Sequence, residues 1–122
     1  MRIMLKSKIH RACVTEANID YEGSIAIDKR LMEAADILPF EQVHILDVNN
    51  GSRFTTYAIE GQEGEICING AAARLADRGD TVIILTYTDV PENETRNHCP
   101  VLVYVDSDNN IKDIKNSLSY MH

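Results

Sequence analysis

Positive charge is scarce in this chain: twelve Lys and Arg stand against nineteen Asp and Glu, leaving a formal net charge of −7. Phosphate neutralisation is therefore not its general business, and nucleic acid is not an expected partner. Long apolar runs are missing as well. The longest, at 82–85 and 101–105, fall far short of the roughly 20 residues that cross a bilayer. The N-terminal residues carry charge from Arg2 onward and hold no apolar stretch followed by a small-residue cleavage site, so they do not read as a signal peptide. The expectation is a soluble, cytoplasmic protein with no membrane partner. Its three cysteines, Cys13, Cys67 and Cys99, are odd in number, widely spaced and without a CxxC pair, which argues against a disulfide framework and a zinc site. They read as small buried hydrophobes in a reducing compartment, and no metal is expected. GxGxxG and GxxxxGK[ST] are absent, as are low-complexity segments and internal repeats.

What remains is one domain, 1–122, whose 44% apolar residues suffice to bury about two thirds of the unfolded surface around a single core. Short alternating runs dominate it. Residues 3–15 read as extended, with Lys6, Lys8 and His10 on one face and Ile9, Arg11 and Cys13 on the other. Residues 24–27 alternate again, and Asp28 is placed to cap a short helix over 29–35, closed by Pro39. Strands at 42–48 and 53–59 flank Asn49-Asn50-Gly51-Ser52, whose Asn and Gly tolerate the positive φ of a tight turn, so a β-hairpin is expected. A strand at 66–68 leads into a short helix from Asn69 that ends near Gly79, and the β-branched run 81–88 reads as a buried strand. A polar connection at 90–100, a strand at 101–105, a sharp turn at 106–110 and a frayed tail after Lys112 follow. Six or seven strands with two small helices predict a mainly β fold with short helices, a compact β-barrel whose closure removes the exposed edges of an open sheet.

Four blocks go further: Lys8-Ile9-His10-Arg11, Tyr21-Glu22-Gly23-Ser24, Asn50-Gly51-Ser52-Arg53-Phe54-Thr55-Thr56-Tyr57 and Asn69-Gly70-Ala71-Ala72-Ala73. In order and spacing the chain resembles the pyruvoyl-dependent aspartate 1-decarboxylase family over nearly its whole length, thinning beyond about Pro91. Gly-Ser alone is a common dipeptide; four blocks in the right order make the match specific. The resemblance implies a six-stranded double-psi β-barrel, assembled as a homotetramer with active sites between subunits. It implies that L-aspartate loses its α-carboxylate as CO2 to give β-alanine, for pantothenate and hence coenzyme A synthesis. It also implies a precursor that cuts itself between Gly23 and Ser24 into chains 1–23 and 24–122. A pyruvoyl enzyme acting on another amino acid, and a non-catalytic β-barrel that binds a small anion or a partner protein, are the alternatives.

The residues suit that chemistry. A serine hydroxyl can attack the preceding carbonyl and exchange the amide for an ester; a glycine there leaves the carbonyl unshielded and permits backbone angles that store strain. Elimination from the ester and hydrolysis of the resulting dehydroalanine leave a pyruvoyl group derived from Ser24, as the resemblance implies. Its carbonyl accepts the electron pair freed as CO2 departs, the task PLP performs elsewhere, so no PLP is expected. A dicarboxylate needs cations. Lys8, His10 and Arg53 are the candidates, and only Arg53 offers a planar fork for bidentate recognition. One such contact at about 4 Å is worth about 4 kcal/mol gross at an effective dielectric near 20, enough to orient aspartate. Arg53 and Lys8 are assigned to binding, and His10 to ordering the site or assisting maturation. Tyr57 matches the family's proton donor and, with an unperturbed pKa near 10, holds its proton at neutral pH. Thr56 matches a substrate-contacting threonine, yet strict alternation sets it on the face opposite Arg53, Thr55 and Tyr57; a bulge or a backbone contact would reconcile the two. Gly70, Ala71 and Ala72 match a substrate-contacting segment whose small side chains expose backbone N–H groups to an anion. Asn69 and Tyr21 are expected to support the site and the cleavage loop. Leu46 stands where some family members carry tryptophan, and this chain has none.

Overall fold

Alternating isoleucine and valine give the chain an inner surface. Ile9, Ile25, Ile27, Val43, Ile45, Ile66, Ile68, Val82 and Ile84 are fully buried, and each contributes about 1.5–3 kcal/mol by leaving water. They lie on strands of a computed structural model that describes residues 1–116. In chain order these are β1 (Arg2–Cys13), β2 (Glu16–Asn18), β3 (Ser24–Asp28), α1 (Lys29–Ala34), β4 (Gln42–Asp47), β5 (Arg53–Gly61), β6 (Ile66–Asn69), β7 (Thr81–Val90), β8 (Val101–Val105) and β9 (Ile111–Lys115), with 3-10 turns at Gly70–Arg74 and Glu92–Asn97.

Hydrogen bonding runs β2-β6-β3-β5-β4-β7-β1-β8-β9. β1 and β2 are one stretch of chain joined through Val14 and Thr15: Val14 N donates to Asp80 O just before β7, and Thr15 N donates to Ile66 O on β6. Since β1 pairs with β7 and β2 with β6, this stretch meets both ends of the order β6-β3-β5-β4-β7 and closes a ring of six. β8 and β9 lie outside the ring, on β1. The expected mainly β barrel with short helices is what the chain builds.

The ring is doubled. β3 leads through α1 into β4 as β6 leads through the Gly70–Arg74 turn into β7. β3 pairs antiparallel with β6, and β4 with β7; β3 is parallel to β5 as β6 is to β2; β4 is antiparallel to β5 as β7 is to β1. Exchanging one set for the other leaves every pairing unchanged, as a double-psi arrangement requires. Asp28 and Asn69 correspond, each ending its strand at the N-cap position of the helix that follows. Asp28 does cap. Its Oδ1 accepts from Arg30 N at 2.8 Å and its Oδ2 from Gly64 N at 2.6 Å. Burial alone would raise this carboxyl, but the Arg30 guanidinium and those N–H groups hold it below the usual carboxylate range.

The strands depart from simple alternation in β1. Its pairing with β7 shifts between Leu5 and Ser7 and again between Ile9 and Ala12, where Arg11 takes a φ of +65°. Arg11 is therefore exposed and Ala12 buried, so Ile9, Arg11 and Cys13 do not share a face. Lys6 drops out of the β7 ladder, and its Nζ reaches Glu41 Oε2 at 2.6 Å. The strand count is nine among the described residues rather than six or seven, because β2 is too short and β9 too polar to show a two-residue period. β9 pairs with β8, which corrects the frayed tail expected after Lys112 as far as Lys115; residues 117–122 lie outside the described residues. The helix entered at Asn69 is a 3-10 turn that ends at Arg74, short of Gly79. Among the described residues, no helix is long and apolar enough to cross a membrane.

Candidate active site

Ser24 opens β3 at the end of an exposed loop that carries Tyr21, Glu22 and Gly23. Antiparallel pairing sets it opposite Asn69, whose Nδ2 donates to Ser24 Oγ at 3.1 Å. Both side chains are buried. A hydroxyl that accepts this bond keeps its own proton available for transfer. The 3-10 turn after Asn69 presses on the same loop. Gly70 has a φ of +73°, and a Cβ there would lie 2.7 Å from Gly23 Cα, 2.8 Å from Gly23 N and 3.1 Å from Tyr21 O. Gly23 differs from the sequence expectation: its φ lies outside the left-handed region, and a Cβ would meet nothing within 4 Å. The steric demand for glycine falls on position 70, and no left-handed strain is stored at 23.

β3 and β5 run parallel with Ile25 opposite Ala58, which sets Ser24 level with Tyr57. Ile25 and Ala58 face the core, so their neighbours Ser24 and Tyr57 share the outer face. Asn69, Ser24 and Tyr57 thus form one row across β6, β3 and β5. Tyr57 is 37% exposed, with its ring centroid 6.2 Å from that of Phe40. Thr56 stays on the inner side. Pairing of β5 with β4 is unbroken from Arg53 opposite Leu46 to Tyr57 opposite Gln42, so the bulge that would turn Thr56 outward is not there. Thr56 is half-buried, one residue before Tyr57 on β5. Ala71 is exposed and Ala72 half-buried; their turn has no side-chain cap, because Asn69 bonds Ser24 instead.

Depressions flank this row. A groove of about 300 Å³ is lined by Tyr21, Ala26, Cys67 and Asn69 together with Glu16, Glu60 and Glu65, whose charges repel a dicarboxylate. Past Tyr57, a second of about 290 Å³ lies against Gln42, His44, Thr55 and Tyr87 and has no acidic lining. Glu16, Glu65 and Cys67 bring possible ligand atoms within 4.8 Å of one another. Burial, then the two glutamates, push the Cys67 thiol up, so it stays protonated and is a poor metal ligand.

The sequence model of the aspartate decarboxylase family matches residues 1–112, a span that takes in Ser24, Tyr57 and Asn69. The chain belongs to the aspartate decarboxylase family. It is 60% identical over 118 residues to the aspartate 1-decarboxylase of Dehalococcoides mccartyi, with 95% of each chain covered. It is 60% identical over 116 residues to that of Syntrophomonas wolfei, covering 93% of this chain and 98% of the relative. With that of Caulobacter vibrioides it shares 56% identity over 111 residues, covering 89% of this chain and 94% of the relative.

For this member of the aspartate decarboxylase family, the cations do not gather at Ser24 within one chain. Arg53 is exposed on the outer face of β5, four residues before Tyr57 and about 13 Å away at about 3.3 Å per residue. Lys8 lies on β1, three strands from β5 through β4 and β7, or about 14 Å at about 4.8 Å per strand. His10 joins them on that face. Arg53 is opposite Leu46, Leu46 is opposite Ile83, and Ile83 stands beside the bulge that holds His10 and Arg11. The His10 ring is edge-on to Tyr104 at 5.5 Å, and its Nδ1 is buried without a hydrogen-bond partner among the described residues. Burial, then Lys8, Arg11 and Lys112, lower its pKa, so the imidazole is neutral at neutral pH. Leu46 supplies no aromatic wall, but the rings of His44 and Tyr87 stand 6.4 Å apart on the same face.

Proposed function

We propose that this chain cuts itself between Gly23 and Ser24 and then decarboxylates L-aspartate to β-alanine and CO2, using a pyruvoyl group made from Ser24. The activity belongs in the cytoplasm, where β-alanine serves pantothenate and coenzyme A synthesis; the free thiols of Cys13, Cys67 and Cys99 support that compartment. One observation carries the reading: in a member of the aspartate decarboxylase family, a buried Ser24 hydroxyl accepts from Asn69 and stands level with Tyr57.

In the cut, Ser24 Oγ attacks the Gly23 carbonyl carbon and its proton passes to the departing Ser24 nitrogen. The C–N bond breaks as the ester forms. Loss of the Ser24 Cα proton and scission of Cβ–Oγ then free the Gly23 carboxylate, and water releases the nitrogen as ammonia to leave a ketone. That pyruvoyl ketone, once present, supplies an electron sink for the pair left when CO2 departs. The surroundings fit it, since space opens beside Gly23 and the depression past Tyr57 has no acidic residue among its described lining. Arg53 and Lys8 bind the substrate carboxylates. Thr56, Gly70, Ala71 and Ala72 contact the substrate through their backbone, and Tyr57 Oη delivers the proton that replaces CO2. Asn69 and Tyr21 support the loop, and His10, neutral, orders the site.

Arg53 and Lys8 stand far from Ser24 in one chain, which supports a site that a neighbouring copy completes. A homotetramer with sites between subunits meets that need, and the exposed Ile3, Phe40 and Tyr87 beside Tyr57 offer an apolar contact face. Intact-mass measurement is expected to find chains 1–23 and 24–122, the larger opening with a pyruvoyl group. A folded protein that stays whole would overturn the reading. Gly70→Ala is expected to slow the cut about tenfold or more, since a methyl there meets Gly23 and the positive φ alone costs more than about 1 kcal/mol. An unchanged rate would mean that this contact does not hold the loop.

A further inference from the structure

Cys67 and Asn69 are two residues apart on β6 and share its outer face. Cys67 Sγ donates to Asn69 Oδ1 at 3.2 Å, and Asn69 Nδ2 donates to Ser24 Oγ at 3.1 Å. All three residues are buried, at 6%, 5% and 4% exposure. A carboxamide has two ends of nearly the same shape and opposite character, so Asn69 has two ways of filling this space. With Oδ1 toward Cys67, it offers N–H to Ser24, and that N–H stabilises the negative charge that builds on Oγ as the proton leaves. Turned over, it presents Oδ1 to Ser24 and repels the same charge. Nothing on Ser24 itself decides between the two, because a hydroxyl donates and accepts equally well.

We propose that Cys67 is a positioning residue for the self-cleavage, its thiol donating to Asn69 Oδ1 and so holding Nδ2 toward Ser24 Oγ. This rests on the proposed cut at Gly23-Ser24. Burial, and then the Glu16 and Glu65 carboxylates within 4.8 Å of the sulfur, keep the thiol protonated and therefore a donor. Cysteine at this place also fills space, and the two roles call for different replacements. Serine keeps the donor and loses volume; valine keeps the volume and loses the donor.

The test follows the cut in freshly synthesised precursor by intact mass against time. Cys67→Ser is expected to cut within about twofold of the parent chain, whereas Cys67→Val is expected to be about tenfold slower, equivalent to about 1.4 kcal/mol at the barrier. Cys67→Ala, which removes the donor without crowding the strand, is expected to slow the cut as valine does. A packing role predicts the reverse order, with valine near the parent rate and serine slow. That order, or equal rates in all variants while the parent cuts, overturns the assignment of Cys67 alone. A folded parent chain that never cuts overturns the cleavage reading beneath it, and this inference with it.

Discussion

Ser24→Ala is expected to remain one chain of 122 residues and to release no CO2 from L-aspartate. The substitution removes a single oxygen from a side chain that is 4% exposed, so alanine fits the space without a clash. It leaves Asn69 Nδ2 without its acceptor, at a cost of about 1–3 kcal/mol, which a barrel with this core absorbs. The fold is kept while both the attacking atom and the ketone made from it are lost. Intact mass reads the first loss and CO2 release the second. Full activity in an uncut Ser24→Ala chain would remove Ser24 from the chemistry altogether.

Tyr57→Phe is expected to separate the two halves of that chemistry. The proposed cut draws on Ser24, its loop and the Asn69 amide and makes no use of the phenol, so it proceeds; turnover on the fully cut protein falls by about 10²–10⁴-fold, the range for removing a general acid. Stability changes by no more than about 0.5 kcal/mol, because Tyr57 is 37% exposed and its ring stays beside Phe40. The measurement is kcat for β-alanine formation on material whose cleavage has been verified by mass. An unchanged kcat would take Tyr57 out of the proton transfer.

The hairpin of β4 and β5 and the strand at Ser24 were legible in the sequence because one buried face imposes a two-residue period. The β1 bulge was not, since Arg11 adopts its positive φ without the glycine that would have marked it. The row of Asn69, Ser24 and Tyr57 depends on the parallel pairing of β3 with β5, which a crossing connection creates and no local pattern records. In the sequence, only the family resemblance joins those residues. Charge type alone groups Lys8 and Arg53 with them, whereas the fold sets Lys8 three strands from β5 and Arg53 four residues from Tyr57. By sequence Cys67 is a small hydrophobe. Its position two residues before Asn69 on one strand was the available signal, and it becomes meaningful once the amide between thiol and hydroxyl is in view.

The correspondence of Asp28 and Asn69 carries a trade-off. On one side of the barrel the residue at this place anchors its own helix, which runs Lys29–Ala34; on the other the same place is diverted to Ser24, and the helix shrinks to the 3-10 turn Gly70–Arg74. An acid at 69 would turn back to the N–H groups that follow it, lengthening the helix while letting the serine go slack. Robustness and ripening thus compete for a single side chain, and under the proposed cut the shorter helix is what frees that side chain for the serine.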